Sequence, residues 1–483
     1  MNYLKKYLNY LLTFKDVFKN FSYTLIYQIL ALILPIVTVP YITRILNQEL
    51  IGLNSVVQAN CSYFELIGML GITLLGPREI AKCLGDKDKL SNTFFSIYKI
   101  QFISHAFVII LYVLYVLIFF KYKLALFYII YLLAYMFDIS WLFIGLEDFK
   151  SVTIRNVFIR IVGFILLITC VKRDNDIYVY VLTLYIPQII MNVYMWYFAL
   201  KKCVNFKIIK TIDKLYITEA ISLLLPQIAS SIYTLLDKTV LGIFSTYTQT
   251  AIYTQGQVLL QLFYAIVPSF CKVMSPRISN CTKRNSQEEV YRYMKMSCHV
   301  ICFISFLFFW GLLACAKLFV TWYLPENYIQ VTDVLMLCSP IILMVSGANL
   351  ISIEFLIPLG QQRKYTNSIV IAAGLNLMLN LTLTPMFGLY GVCIASVMAE
   401  SVGFGIQLLY ARHYIRLEEL FSGTTTYFIS GLTMFIILKS ISPFIEASFF
   451  NIVGLALFGA SLYIIFIFIF KKIFNIFLNK SHI

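Results

Sequence analysis

A chain of 483 residues that is 60% hydrophobic, 13% charged and formally +15 is not built to fold in water. A bilayer crossing takes roughly 20 consecutive apolar residues, and such stretches follow one another here from end to end, which excludes an ordinary soluble protein. No basic domain protrudes, so the positive balance points to anionic lipid headgroups and not to nucleic acid.

In chain order, residues 1–20 place Tyr3, Leu4, Tyr7, Leu8, Leu11 and Leu12 at helical spacing beside Lys5 and Lys6. This predicts an interfacial helix, with no apolar core or small-residue cleavage site of a signal peptide. Fourteen apolar segments follow, over 21–43, 52–76, 92–120, 124–146, 152–171, 177–200, 215–244, 249–271, 293–321, 330–357, 365–386, 388–411, 421–442 and 449–470. Open strands leave backbone groups unpaired in lipid. A barrel would show alternating segments of about 10 residues. The expectation is therefore an all-α, polytopic membrane protein.

With the N-terminus in the cytoplasm, 28 of the 38 Lys and Arg fall on the cytoplasmic side and 7 on the outer side. That bias predicts that both termini are cytoplasmic. The longest joints are 201–214 and 272–292; the outer loops are all short. The first joint divides the chain into an N-terminal lobe (21–200), a linker (201–214) and a C-terminal lobe (215–411). Two added helices (421–470) and a cytoplasmic tail (471–483) complete it. Prolines at matching places in two halves point to a binding site in transporters. Pro35 and Pro40 in the first span, and Pro226 in the seventh, are expected to break their helices.

Ionisable groups at membrane depth are costly and default to functional candidates. They are Glu65, Lys99, His105, Asp138, Arg160, Asp237, Lys238, Glu354 and Glu400. Lys99 and Arg160 lie about two turns into their helices, where snorkelling competes with function. Asp237 and Lys238 are adjacent, and successive residues diverge by about 100° around a helix, so each needs its own partner. The D-x-D triplets Asp86–Asp88 and Asp174–Asp176 are expected to be solvated turns. His299 between Cys298 and Cys302 lacks a second ligand pair, so no metal is expected. With no phosphate-binding loop, no ATP hydrolysis is expected. The eleven Cys are scattered without a C-x-x-C pair and read as small apolar residues. No cofactor is expected.

Four stretches resemble the polysaccharide (O-antigen or capsule repeat-unit) flippases of the multidrug/oligosaccharidyl-lipid/polysaccharide exporter superfamily. Leu74 to Lys82 resembles that family's G-x-R-E-I-A-K. Phe137 to Lys150, followed by Arg155-Asn156, is similar to its D-I-x-W-x-x-x-G-L-E-x-F segment. Leu236 to Gly242 matches D-K-x-x-L-G, and Leu375 to Glu400 resembles N-x-x-x-N…P-x-x-G-x-x-G. Ser140 and Cys393 depart from the common Asn and Ala.

The resemblance implies two six-helix lobes around a cavity that opens alternately to each side. The implied cargo is an undecaprenyl-pyrophosphate-linked oligosaccharide moved from the inner to the outer leaflet of the bacterial cytoplasmic membrane. Lys238, Arg78, Lys99, Arg160 and Arg44 are then the cations available to the pyrophosphate. Asp237, Glu65, Asp138, Glu354 and Glu400 are the carboxylates available for coupling or inter-helix pairing. H+ or Na+ as coupling ion, and a polysaccharide polymerase with its assembly proteins, are the further partners it leaves room for. Three alternatives stand beside it. A multidrug exporter of the superfamily usually has twelve spans, and cavity cations disfavour cationic drugs. Lipid II translocation is disfavoured by the fourth-span motif. A glycan polymerase or ligase needs a large outer loop.

Overall fold

The computed structural model describes residues 27–120, 122–204, 214–284 and 286–480, and the expectations for 1–20 and most of 201–214 lie outside them. Among the described residues the chain is built of helices. We number them α1 (Tyr27–Ile45), α2 (Gln48–Ala81), α3 (Lys87–Phe119), α4 (Lys123–Gly145), α5 (Phe149–Cys170), α6 (Ile177–Lys201) and α7 (Lys214–Phe244). Then come α8 (Tyr247–Lys283), α9 (Gln287–Tyr323), α10 (Glu326–Cys338 and Pro340–Leu356, bent by 49°), α11 (Gln362–Phe387), α12 (Leu389–Ala411), α13 (Thr425–Phe444) and α14 (Phe449–Lys472). Twelve of these are long and apolar enough to cross a membrane, thirteen with the bent pair, and α7 has the length with its 31 residues.

The chain forms two compact units, Met1–Leu235 and Leu236–Ile483. The division falls inside α7, not in the 201–214 joint, because the first turns of α7 are tied to unit 1. Arg78 is paired with Glu219, and Gln227 Nε2 donates to Thr73 Oγ1 at 2.6 Å. Gly71, at φ +77°, is where α7 comes closest: a Cβ there would lie 2.6 Å from the Ala220 carbonyl oxygen. With the preceding Leu70 also left-handed (φ 46°), this pair interrupts α2.

The proline expectation does not hold in its simple form. Helical structure continues through positions 35, 40 and 226. Each proline removes one ladder hydrogen bond, which a long helix tolerates when neighbours re-satisfy the freed groups. The interruptions instead fall at Leu70–Gly71, at Tyr128 and Phe137–Ile139 in α4, at Ala265 in α8 and at Ser339 in α10.

Lipid is as apolar as leucine, so close packing and hydrogen bonds, rather than expulsion of water, hold such helices together. Unit 1 centres on Trp141, Phe94, Phe143 and Ile97, all nearly inaccessible. Gly76 of α2 lies flat against Trp141; a Cβ there would be 2.5 Å from the indole ring. His105 covers Gly68 in the same way and bonds the Gln101 carbonyl at 2.9 Å, which makes it a packing residue. Unit 2 has one cluster around Met294, Cys298, Leu350 and Phe355, and another that joins α9 to α13 and α14 through Met434 and Tyr463. The outward faces stay apolar, as with Phe107 (60% exposed) and Leu117 (66%), which suits a lipid-facing surface.

Of the two D-x-D triplets, Asp174–Asp176 is a turn, as expected, whereas Asp86–Asp88 is the start of α3. Asp86 caps α3 by accepting from Asp88 N and Lys89 N at 3.1 and 3.0 Å. Asp176 accepts from the backbone N–H groups of Lys172 and Arg173, both at 2.9 Å, and these donors hold its carboxyl below the usual carboxylate range.

Candidate functional site

Span four breaks at Phe137–Asp138–Ile139, and a broken helix at membrane depth must find partners for its freed backbone. Three side chains from other helices supply them. Gln101 Nε2 of α3 donates to the carbonyls of Tyr135 and Asp138 at 3.0 and 2.9 Å. Trp196 Nε1 of α6 donates to Phe137 O at 3.1 Å, and Asn192 Nδ2 to Ala134 O at 2.6 Å. Trp141 Nε1 in turn donates to Gln101 Oε1 at 2.9 Å.

The break aims Asp138 inward. Its Oδ1 accepts from Ser140 N at 2.7 Å and its Oδ2 from Arg155 Nη2 at 2.5 Å. Arg155 also donates through Nε and Nη2 to Asn192 Oδ1, at 3.1 and 2.9 Å, and through Nη1 to Asn156 Oδ1 at 3.0 Å. Both charged side chains are at most 10% exposed. A buried pair survives only when its remaining donors and acceptors are satisfied, and here the amides do that.

This network forms one wall of a cavity of about 510 Å³ within unit 1. Asp138, Arg155, Asn156 and Arg160 line it, together with the amides of Gln58 and Gln188 and the rings of Tyr27, Tyr135, Tyr180 and Tyr185. Arg160 lies 5.8 Å over the Tyr27 ring and makes no salt bridge among the described residues. One cation is therefore neutralised by Asp138, while the other is offered to the cavity. Amides, hydroxyls and aromatic faces around a cation suit a polar, hydroxyl-rich molecule that carries an anionic group.

The second cluster is in unit 2. Tyr253 OH donates to Asp237 Oδ2, as does Ser396 Oγ at 2.8 Å, and Asn380 Nδ2 donates to Oδ1 at 2.8 Å. Asn380 Nδ2 also reaches Asn376 Oδ1 at 3.0 Å. Asp237 is buried, whereas its neighbour Lys238 is half-buried and not ion-paired to it. Asp237→Ala removes the acceptor of three donors, of which Ser396 and Asn380 keep a second partner, and this costs about 1–3 kcal/mol. The expected result is a lower melting temperature in detergent, with Lys238→Ala melting like the parent.

The structure brings together some of the expected residues and separates others. Asp138, Arg160 and Pro35 line one cavity, and Glu65 is close enough to Asp138 to interact with it electrostatically. Arg78 is not a lining residue there; it is shared between Glu79 and Glu219. Arg44 is exposed and donates to the Pro40 carbonyl at 3.3 Å. Lys99 and Glu400 are half-buried, and Glu354 is fully buried in unit 2. Arg155 is not among the membrane-depth ionisable groups expected from the sequence, and Gln101, Asn192 and Tyr253 carry no expectation. Single amides inside otherwise apolar helices were the available signal.

These elements define a multi-pass, all-helical membrane fold. The structure resembles "Lipid II flippase MurJ, inward closed conformation" with a TM-score of 0.74 and 14% identity, over 95% of this chain and 100% of that one. It also resembles an inward-facing multidrug resistance MATE family transporter of the MOP superfamily, with a TM-score of 0.61 and 12% identity, over 81% and 99%. At these identities the likeness is one of fold.

The chain belongs to the polysaccharide biosynthesis protein family, whose profile matches residues 17–282. It is 21% identical over 401 residues to a protein of Escherichia coli (strain K12) named as a candidate O-antigen transporter, covering 82% of this chain and 96% of that one. It is a multi-pass membrane protein of a polysaccharide biosynthesis family.

Proposed function

We propose that this protein moves undecaprenyl-pyrophosphate-linked oligosaccharide units from the inner to the outer leaflet of the bacterial cytoplasmic membrane, by alternating access, for surface polysaccharide assembly. The observation that supports this reading most is the unit 1 cavity, where tyrosines and amides surround an Arg160 with no acidic partner among the described residues. The sugars of such a cargo must avoid hydrocarbon, its phosphates seek a guanidinium, and its lipid tail can stay in the bilayer. The excess of Lys and Arg in alternate loops supports cytoplasmic termini in this reading. Asp237, ringed by neutral donors, is the residue we assign to the coupling ion, H+ or Na+.

Deleting the gene in its host tests the proposal. Complete lipid-linked units are expected to accumulate, shielded from a glycosidase added outside, and the intact gene is expected to reverse this. Units that reach the outer face but stay unpolymerised would support a polymerase instead. No change in these lipids would favour a multidrug exporter.

A further inference from the structure

Tyr427, in the first turn of α13, is buried where α9, α13 and α14 pack together. Basic groups from two of these helices gather on its ring. Lys471 Nζ of α14 lies 5.7 Å from the ring centre, and the His299 imidazole of α9 meets it edge-on, with ring centres 5.8 Å apart. Lys295, one turn before His299, and Lys471 are both close enough to His299 to act on it electrostatically. Lys472 adjoins Lys471, and both are exposed. The base of the cluster is fixed: Phe303 of α9 packs on Tyr427 and Tyr463, and Tyr463 OH donates to the Phe303 carbonyl at 3.1 Å. None of these cations makes a salt bridge among the described residues, and the groups that act on His299 include no carboxylate.

Like charges gathered in one place repel, and an anion held by several of them at once removes that cost. The depth of the cluster says which anion. Lys471 lies roughly 33 Å along α14 from its start, at 1.5 Å per residue, which is about the thickness of the hydrocarbon core. The lysines therefore sit at the level of the headgroups. On their membrane side the surface is apolar, with Met296 of α9 and Ile464, Ile465 and Phe468 of α14 all exposed. Ile464 and Phe468 share a helix face with Lys471 and Lys472. Lysines clustered at this level beside an apolar face suit the phosphate of an anionic lipid.

We propose that Lys295 and Lys471, with Lys472 beside them, bind the headgroup phosphate of an anionic phospholipid whose acyl chains lie along the apolar face of α14. That the leaflet is the inner one rests on the reading of cytoplasmic termini above; the binding does not, and it stands or falls apart from transport. Melting of the purified full chain in a neutral detergent, with phosphatidylglycerol or phosphatidylcholine of the same chains added, tests the site. Phosphatidylglycerol is expected to raise the melting temperature of the parent above the phosphatidylcholine value, and about 1 M salt to shrink that difference. Lys295→Gln with Lys471→Gln is expected to lose the difference, yet to melt no lower than the parent without lipid, because the repulsion is gone. Arg363→Gln with Lys364→Gln, at the start of α11, is expected to keep it. Equal effects of the two lipids on the parent, or a difference retained by the K295Q/K471Q double variant, overturns the proposal. A double variant that melts below the parent without lipid makes the lysines structural and overturns it as well. An equal gain from inorganic phosphate alone makes the ligand a soluble anion and overturns the lipid assignment.

Discussion

Arg155→Ala is expected to be the most damaging single change in unit 1, at about 3–5 kcal/mol, the scale for stripping one partner from a buried ion pair. The guanidinium ties Asp138 of α4 to Asn192 of α6 and Asn156 of α5, so its loss leaves a carboxylate and two amides unsatisfied. Arg155→Lys is expected to rescue little, because an ammonium cannot reproduce the fork that reaches three acceptors. Removing both charges, with Asp138→Asn and Arg155→Met together, should recover most of the stability, since an unpaired charge is what costs most. Melting of the purified variants in detergent checks this. If R155A melted like the parent, the pair would not be what holds the break in span four.

Gly391→Ala is expected to open the hairpin of α11 and α12. A Cβ at position 391 would lie 2.3 Å from the Leu383 carbonyl oxygen and 3.0 Å from Thr384 N. Both obstacles are backbone, so no side-chain rotamer can relieve the clash, and one helix end must shift. Overpacking of this kind costs about 1–3 kcal/mol, with backbone obstruction at the upper end. The adjacent turn is fixed by Gly388 at φ 53°, and Leu389 N donates to Gln249 Oε1 at 3.0 Å, so there is little room to relax. Thr384 and Asn380 lie on the displaced helix, so the Asp237 cluster should loosen as well. The check is a lower melting temperature for G391A, with Gly374→Ala as control, because a Cβ at 374 meets nothing within 4 Å.

The helices were legible because hydropathy reports directly on the solvent. The expected span 152–171 is found as Phe149–Cys170, and 365–386 as Gln362–Phe387. What sequence does not report is which helices touch. Arg155 lies only six residues into α5, so by position it is a loop-side charge; its burial depends on Asp138 and Asn192, which come from two other helices. The helix breaks were misjudged for a related reason. Proline marks where a hydrogen bond is lost, but a break persists where other helices satisfy the freed carbonyls, as Gln101 and Trp196 do around Asp138.

The four family-like stretches gain a physical meaning only in pairs. Gly76 and Trp141 are one contact between the first two, and Gly145 fits against Ile80 in the same interface. Asp237 with Asn380 is a contact between the last two. Much of what looked like a functional signature is therefore the packing that lets each unit close. The part that faces an open space, Asp138, Arg155 and Asn156, is smaller.

The most direct test of the account is reconstitution of the purified protein into liposomes that hold lipid-linked oligosaccharide on one leaflet only. Transbilayer movement is read by glycosidase access from the other side. The account predicts movement that depends on the protein and falls sharply in Arg160→Ala, with the folded state of that variant confirmed by its melting temperature. Movement equal to that of protein-free liposomes, or unaffected by the loss of Arg160, would contradict it.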